Sequence, residues 1–76
     1  MKHHVIWTKA GDPYCMEAVQ LLIRRKVQFE ERQIGVSHTF EQFHAAVPNA
    51  QSLPQLTCEG KVIGGLEQIK NYNQNG

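Results

Sequence analysis

Asp12-Pro13-Tyr14-Cys15 sets a carboxylate and a thiol three positions apart at the start of a segment with helical periodicity. A thiolate attacks disulfide sulfur, and the exposed amides and dipole at a helix N-terminus favour the thiolate form. Asp12 works against this, because a like charge beside the thiol holds its proton. The two influences are expected to offset each other and leave Cys15 a sluggish thiol; the other reading is that Cys15 only packs at the helix start. The second cysteine, Cys58, shares by strand alternation the face of Leu56, roughly 13 Å from Pro54 at about 3.3 Å per residue. It reads as a core residue out of disulfide reach of Cys15, since a bridge needs Cα atoms within about 7 Å. Two cysteines are too few for a secreted disulfide framework and lack metal-ligand spacing. His38 and His44 do not share a helix face, so no metal pair is expected.

The elements that position these groups follow from periodicity and punctuation. His4 to Thr8 is β-branched and aromatic and reads as a buried first strand. Tyr14 to Lys26 carries Ala18, Val19, Leu22, Ile23 and then Val27 at helical spacing, with Asp12 as N-cap and Pro13 at the first helical position. Arg24-Arg25-Lys26 complements the negative end of the helix dipole and reads as a solvated helix end. Val27 to Ile34 predicts an edge strand closed by Gly35. Thr39 and Gln42 have capping-box spacing, Phe40, Phe43 and Val47 repeat on one face, and Pro48 forbids continuation, which together predict a short second helix. Pro48 to Ser52 is loop. Gln55 to Cys58 and Lys61 to Ile63 read as a hairpin joined by the two-residue turn Glu59-Gly60. After Gly64-Gly65, the spacing Leu66, Ile69, Tyr72 predicts a last helix, with a polar tail from Asn73 to Gly76 expected to fray. The order β-α-β-α-β-β-α requires a parallel first pair and an antiparallel hairpin. The expected fold is therefore α/β, with a four-stranded mixed sheet and helices on both faces.

Thr8-Lys9-Ala10-Gly11-Asp12-Pro13-Tyr14-Cys15, then Ser52-Leu53-Pro54-Gln55, then Ile63-Gly64-Gly65-Leu66, in this order, resemble a glutaredoxin with its thioredoxin-like fold. The likeness covers essentially the whole chain, whose small size is similar to that of the compact glutaredoxins of bacteria and their phages. The family's active-site segment usually reads TKxxCPYC, so Asp12 occupies the place of its nucleophilic first cysteine and Cys15 that of its second. By this resemblance Leu53 offers backbone contacts to the cysteine moiety of glutathione, and the bond before Pro54 is cis. Lys9, with Gln42 as helper, attracts the glycine carboxylate, and Tyr14 flanks the sulfur. Gly65, Leu66 and Glu67 form the segment that takes the γ-glutamyl carboxylate. The implied activity is glutathione-dependent thiol-disulfide exchange on protein or small-molecule disulfides, with glutathione as co-substrate and no bound cofactor or metal. The alternative is a redox-inactive module that binds glutathione or a peptide along the Leu53-Pro54 edge.

Seventy-six residues with 41% apolar content are expected to form one domain over residues 1–76. Eight basic against seven acidic side chains leave a formal charge of +1, which argues against a nucleic-acid or membrane surface. No apolar run approaches a membrane span, and Met1-Lys2-His3-His4 leads into a strand without a signal-peptide core. A cytoplasmic monomer is the expectation.

Overall fold

The computed structural model describes residues 2–72; the fray expected over Asn73 to Gly76 lies outside the described residues. Seven elements follow in the expected order: β1 (His4–Thr8), α1 (Pro13–Arg24), β2 (Phe29–Gln33), α2 (Phe40–Ala46), β3 (Gln55–Cys58), β4 (Lys61–Gly64) and α3 (Leu66–Asn71). The strands lie in the order β2-β1-β3-β4. β1 runs parallel to β2 and antiparallel to β3, and β3 pairs antiparallel with β4, so the sheet is mixed.

Alternation along β1 divides the core. Ile6 and Leu56 pack with Ala18, Leu22, Val27 and Ile69 on the face that α1 and α3 cover. Val5 and Trp7 point the other way and pack with Phe43 and Val47 on the α2 side. Every β1 residue is buried, as a strand covered on both faces requires. The fold is therefore the expected α/β arrangement, with helices on both faces of the sheet.

The punctuation acts as its chemistry dictates. Thr39 Oγ1 accepts from the Gln42 amide at 3.1 Å while Gln42 Oε1 accepts from the Thr39 amide at 2.7 Å, closing the capping box of α2. Glu59 and Gly60 both have positive φ, 52° and 80°, which suits a two-residue hairpin turn matched to strand twist.

Four expectations are corrected. Helix α1 stops at Arg24, not Lys26, because Lys26 turns to φ 58° and a Schellman motif closes the end: its amide donates to Ile23 O, and that of Val27 to Leu22 O. β2 is shorter than Val27 to Ile34: Ile34 lies beyond the strand, its amide donating to Thr8 O at 2.9 Å, and forms an isolated bridge to His38. Ile23 and Phe40 are 60% and 56% exposed, because the buried stripes of their helices run through Cys15, Ala18 and Leu22 and through Phe43. Cys58 is half-buried beside Tyr72 at the end of the sheet instead of inside the core.

The basic triplet also has a part that its reading as a solvated end missed. Arg25 Nη1 donates to Ile69 O and Tyr72 O, both at 2.9 Å, and Nη2 donates to Lys70 O at 2.6 Å. One guanidinium thus satisfies the carbonyls that α3 leaves open at its C-terminus and ties that helix to α1.

Candidate functional site

The site is assembled at the sheet end where β1 finishes. Thr8 ends that strand, Gly11 turns with φ 76°, and Asp12 enters α1 in extended conformation. Asp12 Oδ1 accepts hydrogen bonds from the amides of Tyr14 at 2.9 Å and Cys15 at 3.2 Å. The carboxylate therefore uses the first free amides of the helix, as an N-cap does.

Two hollows border this tip, and a further one adjoins the first along the loop before β3. One, of about 530 Å³, is lined by Lys9, Asp12 and Tyr14 from the β1–α1 turn, Phe40, Phe43 and His44 from α2, and Ile34, Ala50, Gln51, Ser52 and Leu53. A second of about 530 Å³ shares Ala50, Gln51 and Ser52 and continues past Gln55 to Gly65, Leu66 and Glu67. Together they form a groove from Lys9 to the start of α3 along the loop before β3. A third, smaller hollow of about 230 Å³ opens between α1 and β2, lined by Thr8, Lys9, Cys15, Met16, Glu31 and Gln33.

Most of the expected site residues meet along the groove. Lys9, Asp12, Tyr14 and Leu53 share its first half, and Gly65, Leu66 and Glu67 stand in the second. The Leu53-Pro54 bond is cis and Pro54 is buried. Gln42 is not among the lining residues, since its side chain is committed to the α2 capping box. Gly64 has φ 134°, and a Cβ there would lie 2.7 Å from Gln68 Cγ, so only glycine fits. The Gly65 amide donates to Gln68 Oε1 at 3.0 Å.

Cys15 faces away from this groove. It is only 2% exposed and borders the α1–β2 hollow, where Thr8 Oγ1 donates to Glu31 Oε2 at 2.8 Å. Burial is the main reason its thiol is pushed above the ordinary cysteine range. A hydrogen bond with the Lys9 backbone and the Lys9 charge act downward, whereas Asp12 and Glu31 add to the rise. Burial, which the sequence reading did not weigh, is thus a larger influence than Asp12, and the buried position fits the reading in which Cys15 packs at the helix start. Among the described residues no group of three His, Cys, Asp or Glu side chains could hold a metal ion.

Phe40, His44 and Glu31 are site residues that the sequence reading passed over. Phe40 and His44 stand one turn apart on α2 with ring centroids 4.5 Å apart, a spacing visible in the sequence but indistinguishable there from any helix surface. Glu31 reaches Cys15's surroundings only through the β1–β2 register, which pairs it with Ile6.

Comparison with known proteins agrees with this geometry. The glutaredoxin family model matches residues 5–63. The probable glutaredoxin ssr2061 of Synechocystis sp. is 37% identical over 65 residues, covering 84% of this chain and 74% of that protein. The hybrid peroxiredoxin hyPrx5 of Haemophilus influenzae is 37% identical over 67 residues, covering 88% of this chain but 27% of that protein, so the chain spans about a quarter of that relative's length. Among solved structures, glutaredoxin 1 from Francisella tularensis, complexed with cacodylate, superposes with a TM-score of 0.76 at 23% identity, covering 93% of this chain and 91% of that one. These relatives support a thiol-disulfide oxidoreductase-like function. With the fold, the groove and the family match in agreement over most of its length, the chain belongs to the glutaredoxin family.

Proposed function

We propose that this chain binds glutathione along the groove from Lys9 to Glu67 and that Asp12, standing where the family's nucleophilic cysteine stands, suppresses disulfide exchange. Lys9 faces the glycine carboxylate, the Leu53 backbone pairs with the cysteine moiety, Tyr14 flanks the sulfur, and the Gly65-Leu66-Glu67 segment receives the γ-glutamyl end. Gln42 has no part in this, its side chain being held in the helix cap. The observation that carries the reading is the Asp12 carboxylate at the tip of α1, holding the amides of Tyr14 and Cys15. A carboxylate is not a useful nucleophile toward disulfide sulfur, and the remaining thiol is buried with its proton held. Glutathione and disulfide-bearing proteins or small molecules are the partners in this reading, in a monomeric cytoplasmic domain with no nucleic-acid, membrane or metal partner.

A second reading, in which Cys15 turns over disulfides, has one observation in its favour: the thiol borders a hollow of its own beside Thr8 and Glu31. Glutathione-coupled reduction of a small mixed disulfide separates the two. The proposal expects turnover no greater than that of Cys15→Ser; turnover that Cys15→Ser abolishes would establish the second reading in its place.

A further inference from the structure

A thiolate seated at the tip of α1 would need N–H donors, and those of Tyr14 and Cys15 are already occupied. Both donate to Asp12 Oδ1. The other carboxylate oxygen, Oδ2, makes no hydrogen bond or ion pair among the described residues. Asp12 lines the same hollow as Lys9, Tyr14 and Leu53, so a sulfur brought there meets a negative charge and an open acceptor. An anionic sulfur is repelled by that charge, whereas a neutral S–H gains a charge-assisted, if weak, hydrogen bond. The tip is thus reversed in polarity relative to one that stabilises a thiolate.

Resting on the glutathione-binding reading above, we propose that Asp12 makes the groove a receptor for the protonated thiol of glutathione, with Oδ2 accepting from S–H while Lys9 meets the carboxylate of the glycine end. The bound thiol keeps its proton and is held reduced and unreactive, the opposite of activation. No bond is made or broken.

Calorimetric titration of the native chain with three tripeptides tests this. Reduced glutathione carries the S–H, S-methylglutathione lacks it, and γ-glutamyl-seryl-glycine replaces it with a stronger O–H donor. The expected order is seryl analogue at least as tight as glutathione, and glutathione about three- to tenfold tighter than S-methylglutathione. In Asp12→Asn, whose amide oxygen can still cap the helix while its NH₂ replaces Oδ2, the preference for S–H over S-methyl should vanish. Equal affinity for glutathione and S-methylglutathione in the native chain, a seryl analogue as weak as S-methylglutathione, or a preference that survives in Asp12→Asn would overturn the proposal while leaving glutathione binding in place. Failure of all three tripeptides to bind would overturn the glutathione reading itself. The native-chain comparison decides the matter even if Asp12→Asn does not fold.

Discussion

The chain holds its two thiols in contrasting surroundings at the two ends of the sheet. Cys15 lies in the first turn of α1, almost wholly buried, with the Asp12 and Glu31 carboxylates and Lys9 acting on it. Cys58 pairs with His4 at the other end of β1, half-exposed beside Tyr72, whose hydroxyl lies 2.8 Å from His4 Nε2. At that far end it is the Tyr72 hydroxyl whose proton is held, first by burial and then by Cys58. A helix N-terminus is the usual place to activate a thiol, yet here the thiol at the helix tip keeps its proton. At this helix tip burial is the largest influence on the thiol, and the carboxylates of Asp12 and Glu31 act in the same direction.

The largest effect expected from this contrast is in alkylation at neutral pH. Cys58 should react about tenfold to a hundredfold faster than Cys15, since Cys15 requires both an opening of the helix start and loss of a tightly held proton. Peptide mapping after a timed dose of iodoacetamide measures it; equal rates would erase the distinction. Next comes Asp12→Ala, which removes the cap of α1 and is expected to lower unfolding free energy by about 1 kcal/mol in denaturant titration. The same variant should speed Cys15 alkylation, because it takes away one of the two carboxylates that hold the proton. Glu31→Gln should speed it more modestly, with no change at Cys58, as Glu31 is the least of the influences on Cys15.

The smallest effect is a slope. Cys15 holds its proton more tightly in the folded than in the unfolded chain. Its contribution to stability is therefore complete below the unfolded thiol's pKa of about 8.5 and declines as pH rises beyond it toward the folded value. Tyr72, raised in the same sense, continues the decline near pH 10. Thermal melts of the native chain and Cys15→Ala between pH 7 and 10, the latter with the shallower slope, check this.

Local signals were legible in the sequence, and long-range ones were not. The strand His4–Thr8, the Asp12 cap, the Thr39–Gln42 capping box and the Glu59-Gly60 turn each depend on residues a few positions apart, and all stand as expected. Arg25's hold on the carbonyls of α3 spans more than forty residues, and nothing within the triplet distinguishes it from a solvated cation. The end of α1 was misplaced because Lys26 adopts a left-handed turn usually left to glycine. The groove was visible through Lys9, Tyr14, Leu53 and Gly65, whereas the α2 contribution shifted from Gln42 to Phe40 and His44 once the cap had claimed Gln42. Charge and dipole left two readings of Cys15 open; its burial, which fits the one in which it packs at the helix start, depends on how α1 packs against the sheet.

In the proposed reading one residue, Asp12, separates this groove from a working exchange site. This is tested most directly by glutathione-coupled reduction of a small mixed disulfide with the native chain and Asp12→Cys side by side. Restoring a cysteine at the helix tip is expected to raise turnover by at least about a hundredfold, since loss of a nucleophile from a formed site costs more than that in characterised enzymes. A folded Asp12→Cys protein as inactive as the native chain would contradict this and place the defect in the groove instead.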